Sequence, residues 1–397
     1  MKAENRSFGD MTSPRAQGSP ARHVARKGAG RRFARLLAQA GVRLDGDGPA
    51  DLRVIDRRAI PRILARGNLG LGEAFMAGWI EIDRVDQFVD RVLAAGLRDQ
   101  VGHSPRLWVD ALLARLCNHQ TRSRCWEVGE RHYDLGNDFY RDMLDPRMTY
   151  TCGFWGDGAA TLAKAQEHKL DIICRKLDLK PGQRVLDIGC GWGSFMIYAA
   201  AHYGVECVGL TISREQAALG RELAGDLPVE FRLMDYRDVD EPFDHVVSVG
   251  MFEHVGRHNY DEYMQVARRC LKPDGLFLLH TIGTSHKGAP PDPWISRYIF
   301  PNGELPAMQE VLDASEDRFV VEDVHNFGAD YDRTLMAWYE NFERNWPRWR
   351  ARYGEAFGRM WKYYLQSCAG GFRAREIQLW QFVLSPTGAR GGYRRPV

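Results

Sequence analysis

Apolar and polar residues follow a regular alternation over the middle of this chain. From residue 184 onward, short apolar runs typical of buried parallel strands alternate with amphipathic helical stretches. The strand-like runs are RVLDI, VECVGLTI, VEFRLMDY, FDHVVSVGMF and GLFLLHTI, and the helical stretches are FMIYAAAHYG, REQAALGRELA and YDEYMQVARRCL. Lys272–Gly275, KPDG, predicts a turn before the fifth strand. The alternation predicts a doubly wound α/β sheet, with its site at the carboxyl ends of the strands.

Three other regions show different patterns. Residues 1–32 are rich in Arg, Gly, Ser and Pro, which predicts a disordered tail or, alternatively, a basic arm attracted to anionic lipid headgroups. Residues 33–120 mix helical, strand-like and glycine-rich stretches and predict a small α/β domain that binds lipid, with Phe75–Trp79 as an apolar contact. In residues 294–382 lie 19 of the 44 aromatic residues, which favours an aromatic-rich helical lid within a catalytic domain, 121–397.

Composition narrows the class of protein. The net charge of +2 gives no reason to expect a nucleic-acid partner, and no run approaches the roughly 20 apolar residues of a membrane span. Leu107–Cys117 is an apolar helical stretch, expected in a core or, alternatively, against a membrane. The eight cysteines are scattered without a CxxC pair, which argues against a zinc site or a disulfide framework and favours a reducing cytosol. Membrane association would then be peripheral.

The stretch RVLDIGCGWGS contains the most informative local motif. Gly189, Gly191 and Gly193 follow the first strand and precede a helix, so backbone N–H groups at the helix start can face a ligand. Asp187 lies two residues before the first glycine, at the carboxyl end of the strand. The pattern resembles the first motif of class I S-adenosylmethionine-dependent methyltransferases; a structural turn or an NAD site is the alternative.

A longer, ordered set of motifs resembles the cyclopropane-fatty-acyl-phospholipid synthases. The motifs are HYDLGNDFY, TYTCGFW, VLDIGCGWG, GLTIS, SVGMFEHVG, LLHTIG, DPWISRYIFPNG, HNFGADYDRTLMAWYENF and CAGGFRAREIQLWQ. Mycolic acid cyclopropane synthases share the catalytic part but lack a domain like residues 33–120. The resemblance implies a Rossmann-like methyltransferase sheet and a homodimer.

The resemblance also implies the cofactor contacts for S-adenosylmethionine. Besides Asp187 and the three glycines, these are Tyr150, Thr151, Thr211, Ile212, Gln216, Asp235 and Tyr236. The second strand ends in Thr211-Ile212-Ser213, without the carboxylate that usually holds the ribose hydroxyls in methyltransferases. The synthase family shows the same replacement, which favours the narrower assignment.

A second group of residues is implied to hold a bicarbonate ion. Methyl transfer to a cis alkene leaves a carbocation, and loss of a proton from the new methyl closes the three-membered ring. The resemblance implies that bound bicarbonate is the base, held by Cys152, Glu253, His280, Tyr331 and the backbone of Ile282. The alternatives are a small buried hydrophobe at Cys152, a core histidine at His280 and a loop cap at Tyr331.

Cys368, in SCAGGFRARE, matches a family cysteine, and a nucleophilic role and a packing role both remain open.

The expected activity is methylene transfer to unsaturated acyl chains of membrane phospholipids by a cytoplasmic enzyme at the inner face of the membrane. Three alternatives remain: a methyltransferase making methyl-branched or methylene acyl chains, a small-molecule N-methyltransferase, and a non-catalytic lipid-binding protein.

Overall fold

The computed structural model describes residues 28–97, 135–156 and 158–396. The first range contains α1 (Ala29–Gln39), β1 (Arg53–Val54), α2 (Ala59–Met76), β2 (Ile80–Glu81) and α3 (Val85–Ala94). Residues 1–27 of the predicted tail and the predicted helix Leu107–Cys117 lie outside the described residues. So does the polar stretch 118–131, which the sequence predicts as the boundary between the two domains. Helix α1 begins inside the segment 1–32 that the sequence assigns to the tail.

The later ranges contain the main sheet and its helices. In chain order they are α4 (Asn137–Met143), α5 (Leu162–Lys176), β3 (Arg184–Ile188), α6 (Ser194–Tyr203), β4 (Glu206–Thr211), α7 (Arg214–Ala224), β5 (Val229–Leu233), β6 (Phe243–Val249), α8 (Tyr260–Cys270), β7 (Leu271–Thr284), α9 (Pro293–Tyr298), α10 (Met308–Ser315), β8 (Val320–Asn326), α11 (Ala329–Tyr353), α12 (Glu355–Arg373) and β9 (Ile377–Ser385).

Seven strands form one sheet in the order β5-β4-β3-β6-β7-β9-β8. Strands β3 to β7 are parallel, and β9 runs antiparallel to both β7 and β8. The chain moves from β3 outward to β5 and then returns to β6 on the other side of β3. This reversal opens a crevice at the carboxyl ends of β3 and β6, where ligands bind in such sheets. The predicted doubly wound α/β sheet is confirmed.

The sheet contains two strands that the sequence did not predict. Strand β8 exposes much of its length at the sheet edge, including Val320 and Val321, so its pattern lacks the apolar run of a buried strand. Strand β9 is almost wholly buried but lies among aromatic residues expected in the lid. At β7 the register passes from Phe243–Leu271 to His245–Leu276, so Lys272–Gly275, predicted as a turn before the strand, instead forms an irregularity inside a strand that begins at Leu271.

The aromatic-rich helical lid is confirmed as α11 and α12. The two helices meet at Gly354, whose φ of 78° allows the sharp reversal. The ring of Phe139 in α4 is surrounded by lid rings, with centroid distances of 5.9 Å to Trp349 and 5.2 Å to Trp361. These edge-to-face contacts fasten the segment before the sheet to the lid.

The helices and strands of residues 29–94 share one apolar core with the lid. The Phe75 ring lies 5.6 Å from that of Tyr363, and Arg359 donates to the backbone carbonyls of Phe75 and Ile80. Arg373 pairs with Asp86 of α3 at 2.9 Å. These contacts join residues 29–94 to the lid across the predicted boundary between domains 33–120 and 121–397. Residues 29–94 therefore complete the core around the lid.

The glycine-rich stretch of this region forms turns at only some of its glycines. Gly67, with φ 56°, kinks α2 and Gly78, with φ 69°, follows its end, whereas Gly70 and Gly72 lie inside the helix: a side chain at Gly70 would overlap the Arg62 backbone and one at Gly72 the Trp294 ring. In the Phe75–Trp79 stretch, Phe75 and Met76 are 1% and 8% exposed, which contradicts an apolar lipid contact at these two residues, while Trp79 is half-buried. Among the described residues, no helix combines the length and apolar character needed to cross a membrane.

Candidate active site

The loop between β3 and α6 carries three glycines with positive φ. The values are 86° at Gly189, 55° at Gly191 and 82° at Gly193. A Cβ at Gly189 would lie 2.8 Å from the Met251 side chain, and one at Gly193 would overlap the Phe231 ring. A Cβ at Gly191 would meet no atom within 4 Å. The loop is therefore closely packed at both ends and open in the middle, where a ligand can approach the backbone.

Asp187 lies at the carboxyl end of β3, below this loop. Its carboxyl is 3% exposed, and burial raises its pKa to about 7, while the charge of Lys169 acts in the opposite direction. Lys169, on α5, is 1% exposed, and burial lowers its pKa to about 8. Lys169 thus lies in the buried region at the base of the loop, where the charges of Asp145 and Asp187 both act on it.

The residues predicted after the next two strands lie at the same edge of the sheet. Thr211 ends β4 and donates its hydroxyl to Gln216 Oε1 at 3.1 Å, while Ile212 between them is half-buried. After β5, Asp235 accepts from the backbone N–H of Arg237 at 3.0 Å and from its side chain at 2.9 Å.

Tyr236, the last residue of this predicted set, is buried, with its ring 5.1 Å from that of Tyr263. The carboxyl ends of β3, β4 and β5 thus carry the predicted cofactor residues side by side.

Helix α5 holds the segment around Tyr150 and Thr151. Lys169 Nζ donates to Thr151 Oγ1 at 2.9 Å, and Gln166 Nε2 donates to the Thr151 carbonyl at 2.7 Å. Tyr150 places its hydroxyl 3.0 Å from that of Tyr364 in the lid. Gln166 and Lys169 lie one helical turn apart on the buried face of α5, so together they fix the backbone on which Tyr150 and Thr151 lie.

Cys152 follows directly and is completely buried. Its thiol donates to the Gly153 carbonyl at 3.2 Å and lies 3.9 Å from Thr334 Oγ1 of α11. Burial raises the pKa of Cys152 well above its usual value, and the charge of Asp330 adds to this effect. Thr334 Oγ1 also accepts from the Gly153 N–H at 3.1 Å. Cys152 is therefore a neutral thiol, held between α5 and α11.

Glu253 and Ile282 are joined by a direct hydrogen bond. The Ile282 N–H of β7 donates to Glu253 Oε1 at 2.5 Å, and Glu253 lies in the short turn Phe252–His254 that follows β6. The other carboxyl oxygen, Oε2, is buried with no hydrogen-bond partner among the described residues. Burial raises the pKa of Glu253 to about 7, although the Ile282 N–H works to lower it. The carboxyl is thus half-protonated near neutral pH.

His280 lies on β7, two residues before Ile282. Its Nδ1 is 3.2 Å from Gln381 Nε2, and its Nε2 is buried without a partner among the described residues. Burial holds the pKa of His280 well below its usual value, with smaller contributions from Lys169 and Lys176. The ring is therefore neutral and presents one unused nitrogen.

Tyr331 lies in the first turn of α11, with its ring 4.5 Å from that of Phe372. Burial raises the pKa of its hydroxyl well above the usual value, and the nearby Cys152 and Glu253 raise it further. The structure therefore brings Cys152, Glu253 and Tyr331 from three separate segments into one buried region. The backbone of Ile282 joins this group through its hydrogen bond to Glu253.

Cys368 lies on α12 and is half-buried. Burial raises its pKa to about 12, and the charge of Asp292 contributes in the same direction. A thiol with this pKa is protonated at neutral pH, which favours the packing role over the nucleophilic one.

Sequence patterns did not identify the buried polar residues of α5 and α11 that hold the site. Gln166, Lys169 and Lys176 occupy the buried face of α5, and Thr334 occupies that of α11. A signal was present, because each is a polar residue at helical spacing among apolar ones in its helix. Such residues are rarely buried without a partner.

The profile of the mycolic acid cyclopropane synthetase family matches residues 120–382. The cyclopropane-fatty-acyl-phospholipid synthase of Escherichia coli (strain K12) is 53% identical over 359 residues, which cover 90% of this chain and 94% of that protein. Cyclopropane mycolic acid synthase 1 of Mycobacterium tuberculosis is 36% identical over 272 residues, 64% of this chain and 95% of that protein.

Solved structures show the same relationship. The cyclopropane synthase MmaA2 from Mycobacterium tuberculosis superposes with a TM-score of 0.62 at 35% identity, covering 65% of this chain and 97% of that one. The mycolic acid cyclopropane synthase CmaA1, solved in complex with SAH and CTAB, gives the same TM-score, identity and coverage. The methyltransferase form of the sheet is thereby confirmed.

Proposed function

The chain belongs to the cyclopropane-fatty-acyl-phospholipid synthase family, and on this premise we propose that it transfers a methylene group from S-adenosylmethionine to the cis double bond of unsaturated acyl chains in phospholipids. The observation that carries the proposal is a pair of buried polar atoms without partners, Glu253 Oε2 and His280 Nε2, at the carboxyl ends of β6 and β7. Each such atom is costly to bury unless a polar ligand satisfies it.

The glycine loop fits S-adenosylmethionine. The open backbone at Gly191 gives the cofactor a place to approach, and the start of α6 offers free N–H groups for its carboxylate. Thr211 and Gln216 present hydroxyl and amide groups to the ribose, and Asp187 lies buried at the base of the loop. Tyr150 and Thr151 complete the set on the side of the methionine moiety.

The second group fits a small oxyanion such as bicarbonate. A neutral histidine, a half-protonated carboxyl and a protonated thiol offer hydrogen-bond donors without a net positive charge. Tyr331 remains protonated and can add its hydroxyl. When bound, S-adenosylmethionine supplies the electrophilic methyl group and bicarbonate supplies the base that removes the proton.

The residues of this chain bind and orient the cofactor and the acyl chain, and they keep water out of the site. The lid rings around Tyr331 and Phe372 form an apolar wall suited to an acyl chain, and a dry site prevents water from capturing the cation. Glu253 positions a proton near the bound anion, and its bond from the Ile282 N–H fixes the direction of Oε2. Cys152 is a group that the cation cannot alkylate readily, because burial keeps it a thiol and not a thiolate.

We also propose that the enzyme works in the cytoplasm, as a homodimer at the inner face of the membrane. The six cysteines in the described part of the chain are free, which is consistent with a reducing compartment. With Phe75 buried, the arginine-rich stretch 1–32 becomes the leading candidate for membrane attraction. Full-length protein should cosediment with anionic vesicles at low salt and be partly released at high salt, whereas neutral vesicles should retain little at either salt concentration.

The test of the activity is lipid analysis of a host that expresses the chain. Phospholipids should gain one CH2 and lose one double bond, and proton NMR should show cyclopropane resonances instead of a methyl branch. A methyl-branched or methylene product would overturn the cyclopropane assignment. Purified enzyme stripped of carbon dioxide should slow and recover on addition of bicarbonate, and a rate insensitive to stripping would overturn the anion assignment.

A further inference from the structure

A row of polar side chains crosses three strands behind the candidate anion site. His280 of β7 pairs in register with Gln381 of β9, which in turn pairs with His325 of β8. Lys176, the last residue of α5, reaches this row with its Nζ 2.8 Å from Gln381 Oε1 and 3.1 Å from His325 Nδ1. Gln381 Nε2 is 3.2 Å from His280 Nδ1. Lys176 and Gln381 are completely buried.

The donors and acceptors in this row permit one arrangement. A charged lysine has donors only, so the Gln381 atom that faces Lys176 must be its carbonyl oxygen. The amide NH₂ of Gln381 then faces His280, and an NH₂ group can only donate. His280 Nδ1 must therefore accept, and in a neutral imidazole the proton is then carried by Nε2.

We propose that Lys176 and Gln381 are positioning residues that fix His280 as the neutral tautomer protonated on Nε2, which makes this atom a hydrogen-bond donor toward a bound anion. The identity of the anion rests on the proposed function, whereas the tautomer rests on the row itself. Nε2 is the ring atom that is buried without a partner among the described residues. A donor at this position suits an oxyanion and excludes His280 as the group that takes the proton.

The surroundings hold Lys176 in place, and the Asp323 carboxylate favours its charged form against the opposing effects of burial and of the Arg395 charge. Asp323 Oδ2 lies 3.9 Å from Lys176 Nζ, and Arg395 pairs with Asp323 in turn. Tyr393 donates its hydroxyl to the Lys176 carbonyl at 3.1 Å, which fastens the end of α5. Burial lowers the pKa of Lys176 to about 7, so at pH 6 the lysine is cationic while His280 is still neutral. The row is therefore best examined at pH 6.

Nitrogen NMR of the histidine rings measures the tautomer without any need for activity. In full-length protein labelled with ¹⁵N-histidine at pH 6, His280 should show a protonated Nε2 and an unprotonated Nδ1. Its signals are assigned as those absent from His280→Gln. His245 serves as an internal reference, since it is also buried and its Nδ1 accepts from the Leu276 N–H at 3.2 Å. A protonated Nδ1 on His280 in the unsubstituted protein overturns the proposal.

The variant Gln381→Glu tests the control exerted by the amide. A carboxylate facing His280 accepts a hydrogen bond, so Nδ1 should become protonated while the His245 signals stay in place. Lys176→Met is the second variant: without the lysine the amide is free to rotate, and His280 should show both tautomers. An Nδ1 that remains unprotonated in both folded variants overturns the proposal.

Turnover separates this inference from the proposed function. If His280 donates to the catalytic anion, Gln381→Glu should lower kcat by about tenfold or more, as outer partners of a site commonly do, with affinity for S-adenosylmethionine unchanged. A reversed tautomer with unchanged kcat supports the positioning role and overturns the anion-binding role of His280 in the proposed function.

Discussion

The glycine loop and the candidate anion site lie at the same edge of the sheet but are built in different ways. The loop uses residues 187–193, consecutive in the chain, and its shape depends on backbone conformation at three glycines. The anion site takes its groups from a segment before the sheet, from β7, from the turn after β6 and from the lid, and its chemistry depends on burial. The shape of the loop therefore depends on a few neighbouring residues. The candidate anion site depends instead on all the contacts between distant segments that keep water out of it.

Segment Thr149–Cys152 connects the glycine loop and the candidate anion site. Thr151 touches the loop after β6, because a Cβ on Gly250 would lie 2.8 Å from its side chain. Cys152 is the next residue and belongs to the proposed anion site. Lys169 donates to Thr151 and acts electrostatically on both Asp187 and Cys152. The comparison thus predicts separable effects at Gly191 and Glu253, and coupled effects at Lys169.

The largest separable effect is expected from Glu253→Gln. The amide cannot carry the exchangeable proton of a carboxyl with a pKa of about 7, so kcat should fall by about two orders of magnitude. Affinity for S-adenosylmethionine, measured by calorimetry, should change little. Glu241→Gln is the matched control: it replaces a half-buried carboxylate that pairs with Arg184 before the other end of β6. A loss of cofactor affinity equal to the loss of kcat would contradict the separation.

The wild-type protein and Glu253→Gln also test the raised pKa of Glu253, through the pH dependence of stability. The carboxyl releases its proton near pH 4.5 when unfolded and near pH 7 when folded. The folded state therefore binds more protons between these values, and stability falls as pH rises through that window, by about 1.4 kcal/mol per unit of pKa difference. Thermal unfolding from pH 5 to pH 8 should show the wild-type protein losing stability relative to Glu253→Gln; parallel curves would contradict the raised pKa.

The next largest effect is expected from Gly191→Ala. A methyl group here would enter the open space beside the loop, so affinity for S-adenosylmethionine should fall by about tenfold, or about 1.4 kcal/mol. Gly225→Ala is the matched control, because Gly225 also has a positive φ, 54° against 55°, and open space around its Cβ position. Both variants should lose similar stability on heating. Equal cofactor affinity in the two variants would contradict the loop assignment.

The two sites also differ in how far the sequence predicted them. Asp187, Gly191 and the strand before them could be assigned from local pattern, since turn geometry and strand burial are set by neighbouring residues. The anion residues were assigned by resemblance alone. Nothing local to Cys152 or Tyr331 indicates that the lid brings them together, because that depends on contacts between distant segments.

The sheet shows the same limit. The five parallel strands were predicted from their apolar runs, but β8 and β9 were not, because edge exposure and an aromatic neighbourhood obscure their pattern. Helix α2 was misread for a related reason. Gly70 and Gly72 look like turn residues, yet each lies where a side chain has no room: against the Arg62 backbone across the kink at Gly67 in one case and against the Trp294 ring in the other.

A smaller and coupled effect is expected from Lys169→Met. The change removes the hydrogen bond to Thr151 and the charge that opposes the raised pKa of Asp187. Loss of about 1 kcal/mol should weaken S-adenosylmethionine binding several-fold and also increase the bicarbonate concentration needed for half-maximal rate. Lys164→Met, an exposed lysine of the same helix, is the control. A change in only one of the two ligand dependences would show that Lys169 does not couple the sites.

The smallest effect is expected from Cys368→Ala, and it marks the outer limit of the anion site. The Cys368 thiol has a pKa of about 12 because of burial and the nearby Asp292 charge, so almost none is thiolate at pH 8. Activity should stay within about twofold of wild type, since only packing contacts of a small half-buried group are lost. Cys270→Ala provides the reference for cavity formation at a free cysteine remote from the lid, where the thiol donates to the Val239 carbonyl.

Mass spectrometry after iodoacetamide treatment at pH 8 should show slow labelling of Cys368 in the wild-type protein. Rapid labelling combined with a loss of activity beyond tenfold in Cys368→Ala would return the cysteine to the catalytic group and extend the anion site onto α12.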